Sequence, residues 1–89
     1  MENPFIKVSI IDDDKSYRDS LKEILNKDKR IKIYNEYDSG LDFINSLGSP
    51  FQPDVCLVDI KLKDISGIEC AQKIKQKYPK IYVVIMTAY

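Results

Sequence analysis

Residues 54–69 read Asp54-Val55-Cys56-Leu57-Val58-Asp59-Ile60-Lys61-Leu62-Lys63-Asp64-Ile65-Ser66-Gly67-Ile68-Glu69. The first six form a short, almost wholly apolar run, as expected for a strand covered on both faces. A charged loop follows from Ile60 to Ile65. Ser66-Gly67-Ile68-Glu69 then has capping-box spacing and opens a helix carrying Ile68, Ala71, Ile74 and Tyr78, which Pro79 closes. The same unit recurs on either side. Upstream, Phe5-Ile6-Lys7-Val8-Ser9-Ile10-Ile11 is rich in β-branched residues and stops at Asp12-Asp13-Asp14. A helix is expected over residues 15–27, with Asp14 as N-cap and Tyr17, Leu21, Ile24 and Leu25 on one face. Ile31–Tyr37 alternates apolar and polar residues, which suits a half-exposed edge strand. Ser39 or Asp38 caps a second helix whose stripe is Leu41, Ile44 and Leu47, ending at Gly48-Ser49-Pro50. Downstream, Ile81-Tyr82-Val83-Val84-Ile85-Met86 is apolar on both faces. The order β-α-β-α-β-α-β predicts an α/β fold with a parallel sheet and right-handed crossovers.

The 89 residues allow one small domain, and a chain of this size buries only somewhat over ~60 % of its unfolded surface. Fourteen basic residues balance fourteen acidic ones, so no long-range field draws the chain to nucleic acid or an acidic membrane. No apolar run approaches the ~20 residues of a membrane span, and Met1-Glu2-Asn3-Pro4 is not a signal-peptide start. A cytoplasmic location with no membrane partner is expected. Cys56 and Cys70 make neither a disulfide framework nor a metal cluster and read as buried free thiols. With no histidine, the chain contains no Ser-His-Asp or Cys-His site and no histidine phosphodonor.

In an open parallel sheet, ligands gather at the carboxyl ends of the strands, near the point where the strand order reverses. Three of the expected strands end in functional groups: Asp12-Asp13-Asp14, Asp59 and Thr87. If the order is 2-1-3-4, these strands are neighbours roughly 4.8 Å apart and the groups share one sheet edge. Clustered carboxylates repel unless a cation sits among them, and Mg²⁺ suits oxygen ligands of this kind. A carboxylate such as Asp59 is also competent to attack a phosphoryl group. Thr87 is suited to hydrogen-bond a phosphoryl oxygen, with the small Ala88 leaving room. Taken singly, an Asp after a strand is most often a cap or turn residue, and Asp14 is assigned to capping.

Val8-Ser9-Ile10-Ile11-Asp12-Asp13-Asp14, Val58-Asp59-Ile60-Lys61-Leu62-Lys63-Asp64-Ile65-Ser66-Gly67 and Ile85-Met86-Thr87-Ala88 together resemble the receiver domain of bacterial two-component response regulators, in order and spacing along the whole chain. The resemblance implies a flavodoxin-like, three-layer open parallel sheet of five βα units with strand order 2-1-3-4. Residues 1–89 would then be a receiver domain incomplete at its C-terminus, the fifth strand and last helices lying beyond Tyr89. It implies that Asp59 accepts phosphate from a sensor histidine kinase, and that Asp12, Asp13, Asp59 and the backbone carbonyl of Lys61 hold Mg²⁺. Thr87 would be the switch hydroxyl that moves toward the phosphoryl group. Such a domain is a phosphoacceptor switch rather than an enzyme, at most phosphorylating and dephosphorylating itself. The stretches Asp59-Ile60-Lys61-Leu62 and Ser66-Gly67-Ile68-Glu69 look most like regulators with a helix-turn-helix output domain, so DNA would be met only through a domain outside this chain.

Two departures stand out. Lys63 occupies a position where the family usually has proline, which removes a constraint on the loop, while the Gly67 turn remains. The family's phosphate-binding lysine and its aromatic switch residue both fall beyond Tyr89. Five negative charges, three from Asp12, Asp13 and Asp59 and roughly two from phosphate, would then face one Mg²⁺, and this chain alone is expected to accept phosphate poorly.

Two other assignments compete. Asp12-Asp13-Asp14-Lys15-Ser16 fits the first motif of haloacid-dehalogenase-like phosphatases, with Asp12 as nucleophile and Asp14 as general acid/base. That family's lysine and acidic pair are absent, and Asp59 goes unexplained. A pseudo-receiver that never cycles phosphate is the other, against which the intact Asp12, Asp13, Asp59 and Thr87 set weighs. Lys73, Lys75, Lys77 and Lys80 read as the solvated face and end of the third helix. Tyr34 and Tyr37 are expected to pack at the edge strand. Residues 81–86, left as an edge, form a flat uncharged strand through which the isolated chain should self-associate.

Overall fold

The computed structural model describes residues 5–48 and 52–87. The expected roles of Ser49 and Pro50 as breakers, and of Ala88 and Tyr89 beside the site, lie outside these residues. Four strands, β1 (Ile6–Ile11), β2 (Ile31–Tyr37), β3 (Val55–Asp59) and β4 (Tyr82–Met86), alternate with helices α1 (Lys15–Leu25), α2 (Gly40–Ser46) and α3 (Gly67–Lys77). All pairings are parallel and the order is β2-β1-β3-β4, as expected. Among the described residues no helix is long and apolar enough to cross a membrane.

Each helix starts where a polar side chain satisfies a free N–H of its first turn. Asp14 accepts from the Tyr17 N–H, Ser39 from Asp42 and Ser66 from Glu69. The expected stripes hold at Ile44, Leu47, Ile74 and Tyr78, which pack inward, and differ only at their first members. In α2 the inward residues are Gly40 and Phe43, with Ile44 and Leu47 half-buried, while Leu41 faces out. In α3 they are Gly67, Cys70 and Ile74, and Ile68 is exposed. A first-turn glycine faces inward in both helices. A Cβ on Gly40 would meet Ile65 and Leu62 side chains at 3.0 Å, so α2 lies too close to the β3–α3 loop for a larger residue to be neutral.

Register places Ser9, Cys56 and Val83, and then Ile11, Val58 and Ile85, in rows on one face. Under α2 and α3 this face forms the core: Ile11, Phe43, Cys56, Val58, Cys70, Ile74 and Ile81 are buried together. Burial pushes the Cys56 thiol up to about 12, with a smaller push from Cys70, and Cys70 up to about 11, with a smaller push from Asp64, so both stay protonated. Tyr37 packs edge-on against Phe43 at 5.5 Å, as a core residue of the edge strand.

The opposite face corrects the expectation that β3 is covered on both sides, while β4 is the open edge that was expected. Val8 and Ile10 are buried there, but Val55 and Leu57 are half-buried, and Val84 and Tyr82 are 47 % and 73 % exposed. Among the described residues only α1 lies on this side, packed toward β2. It buries no residue fully, and its stripe members Tyr17 and Ile24 remain exposed. Leu21 and Leu25 of the same stripe are half-buried, and Arg18 and Lys22 add ion pairs to Glu36 of β2. Lys73, Lys75, Lys77 and Lys80 are exposed, as expected. Lys75 donates to the carbonyls of Pro79 and Ile81 at 2.8 and 2.9 Å, satisfying acceptors just past the helix end.

Candidate functional site

The site lies at the carboxyl ends of β1, β3 and β4, which adjacent parallel strands bring to one edge. Asp12 follows β1 and is 4 % exposed. Its backbone N–H donates to the Tyr37 carbonyl at 3.0 Å, and its carboxylate accepts from the Asp14 N–H at 2.9 Å. Asp59 ends β3, in register with Met86, and the Ile60 N–H donates to the Met86 carbonyl. One carboxylate oxygen from each of Asp12, Asp13 and Asp59 lies within 4.8 Å of the others. They line a cleft of about 290 Å³ with Tyr17, Lys61 and Thr87 among the other walls. Asp12, Asp13, Asp59, Lys61 and Thr87 thus border one cleft. Asp14, whose carboxylate caps α1, borders it as well.

Burial pushes the Asp12 carboxyl above the ordinary value of 3.8; the Asp14 N–H opposes this, and repulsion from Asp59, Asp13 and Asp14 adds to it. Three carboxylates so placed form an oxygen-only donor set on short, fixed loops. That chemistry fits a hard divalent cation of the Mg²⁺ type, which takes one or two carboxylates and completes its shell with water or phosphate oxygens.

The loop after Asp59 is held at several points, despite the lysine at 63. Lys61 and Ser66 form an antiparallel bridge, and Lys63 pairs with Asp38 at 3.1 Å. Asp64 accepts from the Ser39 hydroxyl and the backbone N–H groups of Gly40, Leu41 and Ile65. Its burial resists ionisation, yet these donors together hold its carboxyl well below the ordinary range. Beneath the loop, the Gly67 N–H donates to the Ile60 carbonyl at 2.8 Å. A Cβ on Gly67 would stand 2.2 Å from the Asp59 carbonyl oxygen, so only glycine permits this approach.

Sequence patterning missed three of these residues. Tyr17 was expected in a core stripe and instead lines the cleft. Asp64 reaches Ser39 and Leu41 over 25 and 23 residues and Arg18 reaches Glu36 over 18, where periodicity carries no signal; Arg18 also donates to the Asp12 carbonyl oxygen, six residues away. The available hint was an arginine one turn into a helix that begins directly after the acids.

The model of the response regulator receiver domain matches residues 8–89. The response regulator protein VraR of Staphylococcus saprophyticus is 32 % identical over 84 residues, which cover 94 % of this chain and 40 % of that protein. The transcriptional regulatory protein DegU of Brevibacillus brevis is 27 % identical over 84 residues, covering 94 % and 35 %. The crystal structure of the response regulatory domain of mrkE from Klebsiella pneumoniae superposes with a TM-score of 0.83 at 28 % identity, over 94 % of this chain and 68 % of that one. The chain therefore spans about two fifths or less of the length of these curated relatives. With a parallel 2-1-3-4 sheet, three acids at its carboxyl edge and a family match over nearly its whole length, the chain belongs to the response regulator receiver domain family.

Proposed function

We propose that Asp59 is the phosphoacceptor of a two-component switch, charged by a sensor histidine kinase. The observation that carries this is the convergence of Asp12, Asp13 and Asp59 at the ends of two adjacent parallel strands. An Asp59 carboxylate oxygen attacks the phosphorus of a phosphohistidine; the new O–P bond forms as the P–N bond breaks, and the electron pair leaves with the imidazole nitrogen. Asp12, Asp13, Asp59 and the carbonyl of Lys61 would hold Mg²⁺, which supplies positive charge against the carboxylates and the incoming phosphoryl oxygens. Thr87, on the cleft wall at the end of β4, offers a hydroxyl to a phosphoryl oxygen and is the group whose movement reports the new charge.

A protein that carries this receiver is proposed to be a cytoplasmic transcriptional regulator, meeting DNA through a separate output domain. The relative DegU is named a transcriptional regulatory protein. The phosphatase assignment is disfavoured because Asp14, its general acid/base, is spent on capping α1 and Asp59 would have no task. A small-molecule acyl phosphate tests the choice. With Mg²⁺ present, the label should map to Asp59 and vanish in Asp59→Asn. A label that maps to Asp12, and persists in Asp59→Asn, would overturn the proposal.

A further inference from the structure

We propose that Arg18 is a positioning residue of the acidic cleft, holding the Asp12–Asp13 peptide through a guanidinium that Glu36 fixes in place. The inference rests on the reading of that cleft as a Mg²⁺ site. Arg18 lies one turn into α1 and its side chain is only 12 % exposed. Its Nη1 donates to the Asp12 carbonyl oxygen at 2.5 Å and its Nε to Glu36 Oε1 at 2.8 Å. Lys22 occupies the other Glu36 oxygen. The Asp12 N–H meanwhile donates to the carbonyl of Tyr37, the neighbour of Glu36 on β2. Both peptide groups flanking the Asp12 Cα are thus tied to the same end of β2, one directly and one through Arg18.

The carbonyl that Arg18 grips belongs to the peptide joining Asp12 to Asp13. Fixing its plane fixes where two of the three clustered carboxylates can go. Docking α1 on the sheet does not require this contact, because Lys22 already pairs with Glu36. The planar fork of an arginine serves two acceptors at a set angle; a lysine, with one nitrogen, does not. The guanidinium also brings a positive charge to within one peptide of carboxylates that repel each other.

Groups that orient metal-binding side chains typically change metal affinity by 10- to 100-fold when removed. Titration of the 89-residue chain with Mg²⁺ alone, followed calorimetrically, should therefore show Arg18→Ala binding about 10-fold more weakly than wild type. Circular dichroism at the same temperature checks that the variant is folded. Arg18→Lys retains the charge and the Glu36 pair and should still lose about 3-fold or more, since the fork is gone. It carries the test if Arg18→Ala does not fold. A merely structural Arg18 would lower the melting temperature in EDTA and leave the affinity of the folded protein unchanged. Affinities of the folded variants within about twofold of wild type overturn the proposal. If wild type binds and Asp13→Asn does not, that failure leaves the Mg²⁺ reading standing; no binding by wild type overturns both.

Discussion

Gly67→Ala is the sharpest test of how α3 is seated against the candidate phosphoacceptor. The added Cβ would stand 2.2 Å from the Asp59 carbonyl oxygen, 2.7 Å from Ile60 Cα and 2.9 Å from the Asp59 carbonyl carbon. All three are backbone atoms, so no side-chain rotation relieves the clash. Carbon contacts are comfortable near ~3.5 Å, so the helix start and the strand end must separate by about 1 Å. That motion stretches the 2.8 Å hydrogen bond from the Gly67 N–H to the Ile60 carbonyl and strains the Lys61–Ser66 bridge beside it. Overpacking of this kind costs ~1–3 kcal/mol and a weakened hydrogen bond adds ~0.5–1.5 kcal/mol. Against this stands the helix preference of alanine over glycine, at most ~1 kcal/mol. The net is a loss of about 2 kcal/mol. In a domain of this size each kcal/mol moves the melting temperature ~4–8 °C, so a drop of roughly 8–16 °C is expected by thermal circular dichroism. Gly48→Ala is the control: nothing lies within 4 Å of its Cβ position, and it should be neutral or gain up to ~1 kcal/mol. A Gly67→Ala protein as stable as wild type would refute the reasoning, because it would mean the backbone at Asp59 yields freely.

Asp64→Ala removes the acceptor shared by Ser39, Gly40 and Leu41 and should cost ~1–2 kcal/mol in urea unfolding at neutral pH. Because the folded carboxyl titrates below its ordinary 3.8, the difference from wild type should hold above that value and close as pH falls beneath it; a pH-independent difference would count against the assignment. Asp12 carries the opposite sign. Its folded carboxyl titrates above 3.8, so metal-free stability falls as pH rises through that window, and Asp12→Asn should be the more stable protein at pH 7 without Mg²⁺. Like charges within 4.8 Å repel by about 1 kcal/mol even in water-like surroundings, which sets the size of the gain; a lower melting temperature for Asp12→Asn in EDTA would contradict it. The exposed Tyr82 and Val84 face of the edge strand β4 should make the 89-residue chain associate with rising concentration in sedimentation velocity, and a monodisperse monomer across that range would remove the expectation.

Local patterning carried the element order, the three caps, the edge position of β2 and the acids at the strand ends, because each depends on residues within a turn or a strand of one another. It misassigned the first turns of α2 and α3 for one shared reason. Leu41 and Ile68 were counted as core because they are apolar, whereas the inward stripes begin at Gly40 and Gly67 and continue through Phe43 and Cys70. Glycine has no side chain to bury, so a stripe that starts on it is invisible to a count of apolar residues. The backbone approach it permits is visible only in three dimensions. The side of the sheet that carries α1 was misjudged differently. Its attachment includes ion pairs across 14 and 18 residues, and Glu36 in an alternating strand reads as a solvent-facing residue.

These three misreadings converge on one place. The surroundings of the acidic cleft are tied to neighbouring elements by contacts that patterning did not show: the β1–α1 turn to β2 through Arg18, the β3–α3 loop to α2 through Asp64, and the end of β3 to α3 through the bare backbone of Gly67. The acids themselves do not supply this order. Asp12, Asp13 and Asp59 repel one another, and left to a mobile loop they would separate and lose the donor set. Holding them within 4.8 Å without a cation therefore falls to ties made on the outside of each loop. It follows that variants at Arg18, Asp64 and Gly67 should lower stability in EDTA, whereas Asp12→Asn should raise it. Under the proposed reading all four should respond less to added Mg²⁺ than wild type. That opposition in sign separates residues that hold the cleft together from those it is built to restrain.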